Sequence, residues 1–162
     1  MSIFELSVAM KEHSIKPAKR ATPKSNTQQS SSKSPEDLEK MAMEAMEDLS
    51  EKFPAWASGD VQKMKQLLVQ AADVFGMKRT QIIRQQLYPK AHDLKGQGTT
   101  FGYPLITDIG THMCRLITEK TTFSADDLAI LKTDTLMLET VLWKKLKGDG
   151  GKKGTEILEK LK

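Results

Sequence analysis

Apolar residues recur at helical spacing along most of this chain, and no stretch alternates with period two for long enough to make a convincing strand. Leu38, Met41, Ala42, Ala45 and Leu49 form a first run. Ser34 stands before it as a cap, Pro35 suits the first helical position, and Glu36, Asp37 and Glu39 complement a helix N-terminus. Phe53, Trp56, Ala57, Met64, Leu67, Leu68, Ala71 and Phe75 form a second run. Pro54 is expected to kink or separate the two. Gly76 reads as a stop and Thr80 as the cap of the next helix.

A third helix is expected from about residue 78 to about 100, bent at Pro89 and closed by Gly102, with Pro104 just beyond. The fourth runs from Pro104 to about Lys120, with Leu105, Ile106, Ile109, Met113, Leu116 and Ile117 on its apolar side. The fifth has the strongest start signal: Ser124 caps, Asp127 fills the third position, and Phe123 can staple against Leu128. Its stripe continues through Leu131, Leu138, Val141 and Leu142, and the sequence GDGG at residues 148–151 is expected to end it.

The predicted fold class is all-α: an up-and-down four-helix bundle with an extra N-terminal helical segment and flexible tails. Residues 16–34 have almost no apolar side chains, so residues 1–34 read as a disordered basic tail, in which residues 3–15 are a short helix, a docking segment or a frayed terminus. Residues 35–147 form the bundle. Residues 148–162 form a Gly/Lys-rich linker and a short C-terminal helix.

Composition narrows the function classes. Apolar residues are 38% and charged residues 28% of the 162, the balance of one soluble globular domain rather than of a membrane protein. Neither a transmembrane run nor a signal-peptide pattern is present in the sequence. Cys114 is the only cysteine, which excludes an intrachain disulfide and makes a reducing cytoplasm the expected compartment. The net charge of +4 divides as +4 in residues 1–34, −1 in residues 35–147 and +1 in residues 148–162. A nucleic-acid module would carry its basic excess on the folded part, so no nucleic-acid partner is expected.

The stretch AHDLKGQGTTFG at residues 91–102 holds one of only three histidines. With His92 at zero on a helical wheel, Ile83, Leu87, Ala91, Leu94, Gly98 and Phe101 fall between about 180° and 260°. Gln85, Tyr88, Lys95, Gly96 and Thr99 fall within about 60° of His92. His92 therefore faces away from the apolar stripe, which argues against a core histidine. Its i−4 and i+4 neighbours are Tyr88 and Gly96, and His112 and Cys114 diverge on their own helix, so no metal site is expected. A serine elbow and a base–orienter pair are also missing from the sequence. An exposed imidazole, largely neutral and nucleophilic at neutral pH, is a good phosphoryl acceptor. Lys95, one turn away, can stabilise the phosphoryl charge, and Gly96 removes a side chain that would block a partner. Gly98, on the apolar side, permits close approach of a neighbouring helix.

AHDLKGQGTTFG resembles the signature of the histidine phosphotransfer (HPt) family, His-x-Leu-Lys-Gly followed by small residues, an apolar residue and glycine. His92, Leu94, Lys95, Gly96, Phe101 and Gly102 match it by position. The resemblance implies a phosphoryl carrier rather than an enzyme: His92 as phosphoacceptor, Lys95 and Gly96 shaping its site, and Gln85, Tyr88 and Thr99 on the docking face. It implies partners in the receiver domains of a hybrid histidine kinase and a response regulator, with no cofactor of its own; the Mg²⁺ belongs to the receiver. No membrane partner is expected, and the chain is expected to be a monomer. KGQGTTFGY also resembles the phosphoacceptor domain of chemotaxis histidine kinases, which place a histidine and a glutamate 19 and 22 residues after the acceptor. Here those positions are Thr111 and Cys114, and His112 is one residue out of register. A helical adaptor without phosphotransfer and a detached kinase acceptor domain are the alternative readings.

Overall fold

The structure, a computed structural model, describes residues 34–161. The expected N-terminal tail and the helical segment at residues 3–15 lie outside the described residues. The described chain is all-α.

Helix α1, Pro35–Ala72, opens with a capping box: the Asp37 N–H donates to Ser34 Oγ at 3.1 Å and the Ser34 N–H to Asp37 Oδ2 at 3.2 Å. It is one helix of 38 residues, so Pro54 does not separate two helices. A proline inside a helix costs about 3 kcal/mol. Phe53, Val61, Met64 and Leu68 of the same helix are 0–1% exposed, and each large buried side chain returns about 1.5–3 kcal/mol, so burial outweighs the break. The first apolar run does not reach this core. Leu38 is 56% exposed and Leu49 37%, although their spacing is fully helical.

Gly76, at φ +58, redirects the chain and begins helix α2, Gly76–Gln81, rather than acting only as a stop. Thr80 lies inside α2 and donates to the Gly76 carbonyl instead of capping. Arg79 is buried. Its Nε donates to the Ala71 and Val74 carbonyls at 3.0 and 2.9 Å, and its Nη1 to the Phe123 carbonyl at 3.0 Å. It thus satisfies acceptors at the end of α1 and ties that turn to the segment before the fifth helix.

The expected third helix is interrupted. A π-helical segment, Ile82–Leu87, joins α2 to helix α3, Tyr88–Gly98. The Tyr88 N–H donates to the Ile83 carbonyl, five residues back. Pro89, which has no N–H to continue the α pattern, follows at once. Arg79, Ile83, Leu87 and Ala91 are all buried and spaced by four. In an ideal α-helix that series would drift by about 120° around the axis. The wider π turn takes up the drift and keeps all four on the core.

The turn after α3 is anchored on α1. Phe101 stacks on Phe53 with ring centroids 4.9 Å apart, Tyr103 lies 5.5 Å from Phe53, and Ser50 Oγ donates to the Phe101 carbonyl at 2.7 Å. Helix α4, Pro104–Glu119, starts on its proline as expected. Helix α5, Ala125–Trp143, repeats the capping box, with the Asp127 N–H on Ser124 Oγ at 3.1 Å and the Ser124 N–H on Asp127 Oδ2 at 2.9 Å. It ends at Trp143, before the GDGG sequence. Lys145 takes the left-handed conformation, φ +49; its N–H donates to the Leu142 carbonyl, and the Leu146 N–H to the Val141 carbonyl. This is a Schellman closure with lysine where glycine is usual.

Helix α6, Gly151–Lys160, packs on α4 with Ile157 only 3% exposed. The short C-terminal helix expected within residues 148–162 is therefore present, and it packs on the bundle rather than forming part of a flexible tail. Gly150, at φ +66, takes the left-handed conformation that favours glycine, and a Cβ there would lie 2.6 Å from Leu105 Cδ1. In the core, α3 packs on α4, α1 on α5 and on the π segment, and α4 on α5. Among the described residues, no helix is long and apolar enough to cross a membrane.

Candidate functional site

The α3 backbone places Ala91, Leu94 and Gly98 in the core and leaves His92 outward, its side chain 61% exposed. Tyr88, half-buried, sets its ring centroid 6.0 Å from that of His92. His92 Nδ1 is 4.0 Å from Asp93 Oδ1, beyond hydrogen-bond distance. The imidazole therefore stands beside the Tyr88 ring, and its nitrogens are open to a partner.

Lys95 and Gly96 share this face but differ in how they are held. A Cβ added at Gly96 would have no atom within 4 Å, so nothing inside the protein requires glycine there. Lys95 is half-buried because its stem lies over Gly110 of α4, where an added Cβ would come within 2.9 Å of Lys95 Cβ and 3.0 Å of the Ala91 carbonyl oxygen. The close α3–α4 approach depends on that glycine. Burial raises the Cys114 thiol above its ordinary pKa, and the Lys95 charge pulls it partly back.

Thr107, which the sequence did not single out, secures the end of α3. Its Oγ1 donates to the Lys95 carbonyl at 3.0 Å and accepts from the Thr99 N–H and the Thr99 hydroxyl, both at 2.9 Å. Gly98 lets α4 approach closely enough for this: an added Cβ would lie 2.7 Å from Thr107 N. Thr99 is exposed but spends its hydroxyl proton on Thr107. Gln85 is exposed too, but it sits in the π segment, where its direction relative to His92 is not that of a regular α-helix. Arg84, Tyr88, Ile117 and Thr118 line a shallow open groove, and Arg84 donates to the Lys120 carbonyl.

His112 does not face His92. Its Nδ1 lies 2.9 Å from Asp134 Oδ2 on α5, and Asp134 is buried. The chemotaxis-type positions hold Thr111, which donates to the Thr107 carbonyl, and the buried Cys114. Asp134 was legible as an acid within the stripe formed by Leu131 and Leu138. A buried acid demands a partner, and His112 is the one it finds. Among the described residues, no three His, Cys, Asp or Glu side chains are grouped to hold a metal ion.

Neither protein-family models, nor curated proteins, nor solved structures give a match to this chain.

Proposed function

We propose that the chain is a histidine phosphotransfer protein, a phosphoryl carrier in which His92 is the acceptor. The observation that carries this reading is an imidazole presented outward from a packed helix beside Gly96, a glycine with no internal role. Exposed mid-helix glycine costs about 1 kcal/mol relative to alanine, so its presence calls for an external reason. Close approach of a partner supplies one. The mutual packing of α1, the π–α3 unit, α4 and α5 supports the four-helix arrangement that such carriers use.

In the proposed step an unprotonated imidazole nitrogen attacks the phosphorus of a receiver's aspartyl phosphate. A P–N bond forms as the acyl P–O bond breaks, and the aspartate leaves as carboxylate. The proton on the other ring nitrogen stays in place during the attack. Lys95 supplies positive charge on the side of α3 that faces the incoming group, and Tyr88 limits the ring's swing. The receiver carries its own Mg²⁺. Delivery to a second receiver is the same reaction reversed. The chain needs no nucleotide site for this, and its partners are receiver domains.

Mixing the purified protein with a receiver labelled at its aspartyl phosphate tests the reading. Label should move to the protein in an acid-labile, base-stable linkage and be absent from folded His92→Gln. Label retained by that variant, or no transfer from any receiver to the wild type, would falsify it.

A further inference from the structure

Helix α1 carries two apolar faces, and only one is used by the core. On an α-helical wheel Phe53, Ala57, Val61, Met64 and Leu68 centre about 90° from Leu38, Ala42, Ala45, Leu49 and Trp56. The first set is buried. The second falls within an arc of about 60° and is exposed, with Leu38 at 56%, Leu49 at 37% and Trp56 at 54%. Its intervals of four, three, four and seven residues are those of a heptad seam, the spacing that a partner helix reads. Lys52 holds the one seam position that is not apolar, and it turns its ammonium to Asp48 at 2.6 Å.

Charge decides the kind of occupant. Residues 35–52 hold seven acids and two lysines, a net −5. Both lysines are already matched within the helix, Lys40 to Glu44 at 4.0 Å and Lys52 to Asp48. Glu39 and Asp48 stand at the positions flanking the seam, where coiled coils choose partners by charge. A second copy would set −5 against −5. A cationic helix would gain at every flank.

We propose that this seam, about 27 Å long over residues 38–56, is a docking site for a basic amphipathic helix of a partner protein. The partner presents apolar residues at heptad spacing and Lys or Arg on both sides of them. The site is separate from His92 and does not depend on phosphotransfer.

The experiment uses the full chain with Trp143→Phe, which leaves Trp56 as the fluorescent reporter; Trp143 is 79% exposed and outside the core. Two synthetic 21-residue helices share leucine and isoleucine at seam positions, one with lysine flanks and one with glutamate flanks. The lysine peptide should saturate with a blue shift of Trp56 emission, and binding should weaken with salt. Leu49→Glu should weaken it more than about tenfold, because a charge enters the seam. Glu39→Lys with Asp48→Lys should weaken it about three- to tenfold through lost flank pairing. His92→Gln should leave it unchanged. Failure of both peptides to shift Trp56, equal binding of both, or indifference to Leu49→Glu overturns the proposal. A concentration-dependent dimer that Leu49→Glu abolishes assigns the face to a second copy instead.

Discussion

His112 Nδ1 and Asp134 Oδ2 meet 2.9 Å apart between α4 and α5, with Asp134 1% exposed. Burial raises the Asp134 carboxyl above its ordinary pKa, and the His112 hydrogen bond and charge pull it back. A carboxyl whose pKa is higher folded than unfolded favours folding at low pH. That contribution is lost as pH rises through the folded value, since the folded state then binds the extra proton.

Replacing His112 by alanine removes the opposing pull and leaves the acid alone. At neutral pH the variant should lose about 3 kcal/mol. The loss should shrink as pH falls, because Asp134 can then protonate and give up its buried charge. His112→Leu with Asp134→Leu should be milder than His112→Ala alone. Urea unfolding at pH 4, 5.5 and 7 measures this; a loss independent of pH would show that the pair contributes packing and nothing electrostatic.

Chemistry and folding should separate at His92 and Lys95. His92→Gln should abolish phosphoryl acceptance and move stability by no more than about 0.5 kcal/mol, since the ring is exposed. Lys95→Met keeps the stem over Gly110 and removes the charge, so it should slow transfer roughly 10- to 1000-fold while unfolding like the wild type. Rapid-quench transfer rates with circular dichroism provide both readouts. A Lys95→Met protein that transfers at the wild-type rate would remove the lysine from the mechanism.

The glycines should divide sharply. Gly96→Ala should stabilise the helix by up to about 1 kcal/mol, and Gly96→Leu should fold yet dock poorly. Gly98→Ala and Gly110→Ala should each cost about 1–3 kcal/mol, because the added methyl meets Thr107 N or the Lys95 stem and the Ala91 carbonyl. Thermal melts of the four variants decide it; equal melting of Gly96→Ala and Gly98→Ala would contradict the packing described.

Lys145→Gly should stabilise the protein by about 1 kcal/mol. The φ of +49 strains a lysine and suits glycine, and the two closing hydrogen bonds involve only backbone. A lower midpoint in guanidinium for this variant would mean that the lysine side chain outweighs the strain.

The sequence foretold α4 and α5 well at their N-termini, because caps and prolines act locally and are written in adjacent residues. It misjudged α1 and the end of α5 for opposite reasons. Pro54 is a local break overruled by distant packing, and Lys145 closes a helix that no glycine marks. Helical spacing announced that Leu38 and Leu49 share a face, but spacing is silent on whether anything lies against it. His92 was placed outward by its angle to the stripe. The helix carrying it was expected to be α-helical with a bend at Pro89, since a π turn has no residue signature apart from that proline and buried positions spaced by four. Thr107 and the His112–Asp134 pair join separate helices; Asp134 shows in the sequence as an acid within an apolar stripe, but which residue of another helix meets it has no footprint in a one-dimensional pattern.

The π segment also makes the length of this helix forgiving at one place. It holds its extra turn width between two anchors, Arg79 on one side and the Gly98–Thr107 contact on the other. With hydrogen bonds reaching five residues back, the six residues 82–87 turn the chain about as far as five would in an α-helix. Losing one of them lets the segment close into ordinary α-helix with both flanks still in phase, and His92 keeps its face. The same loss at residues 88–91 has no wide turn to draw on and swings His92 by about 100°.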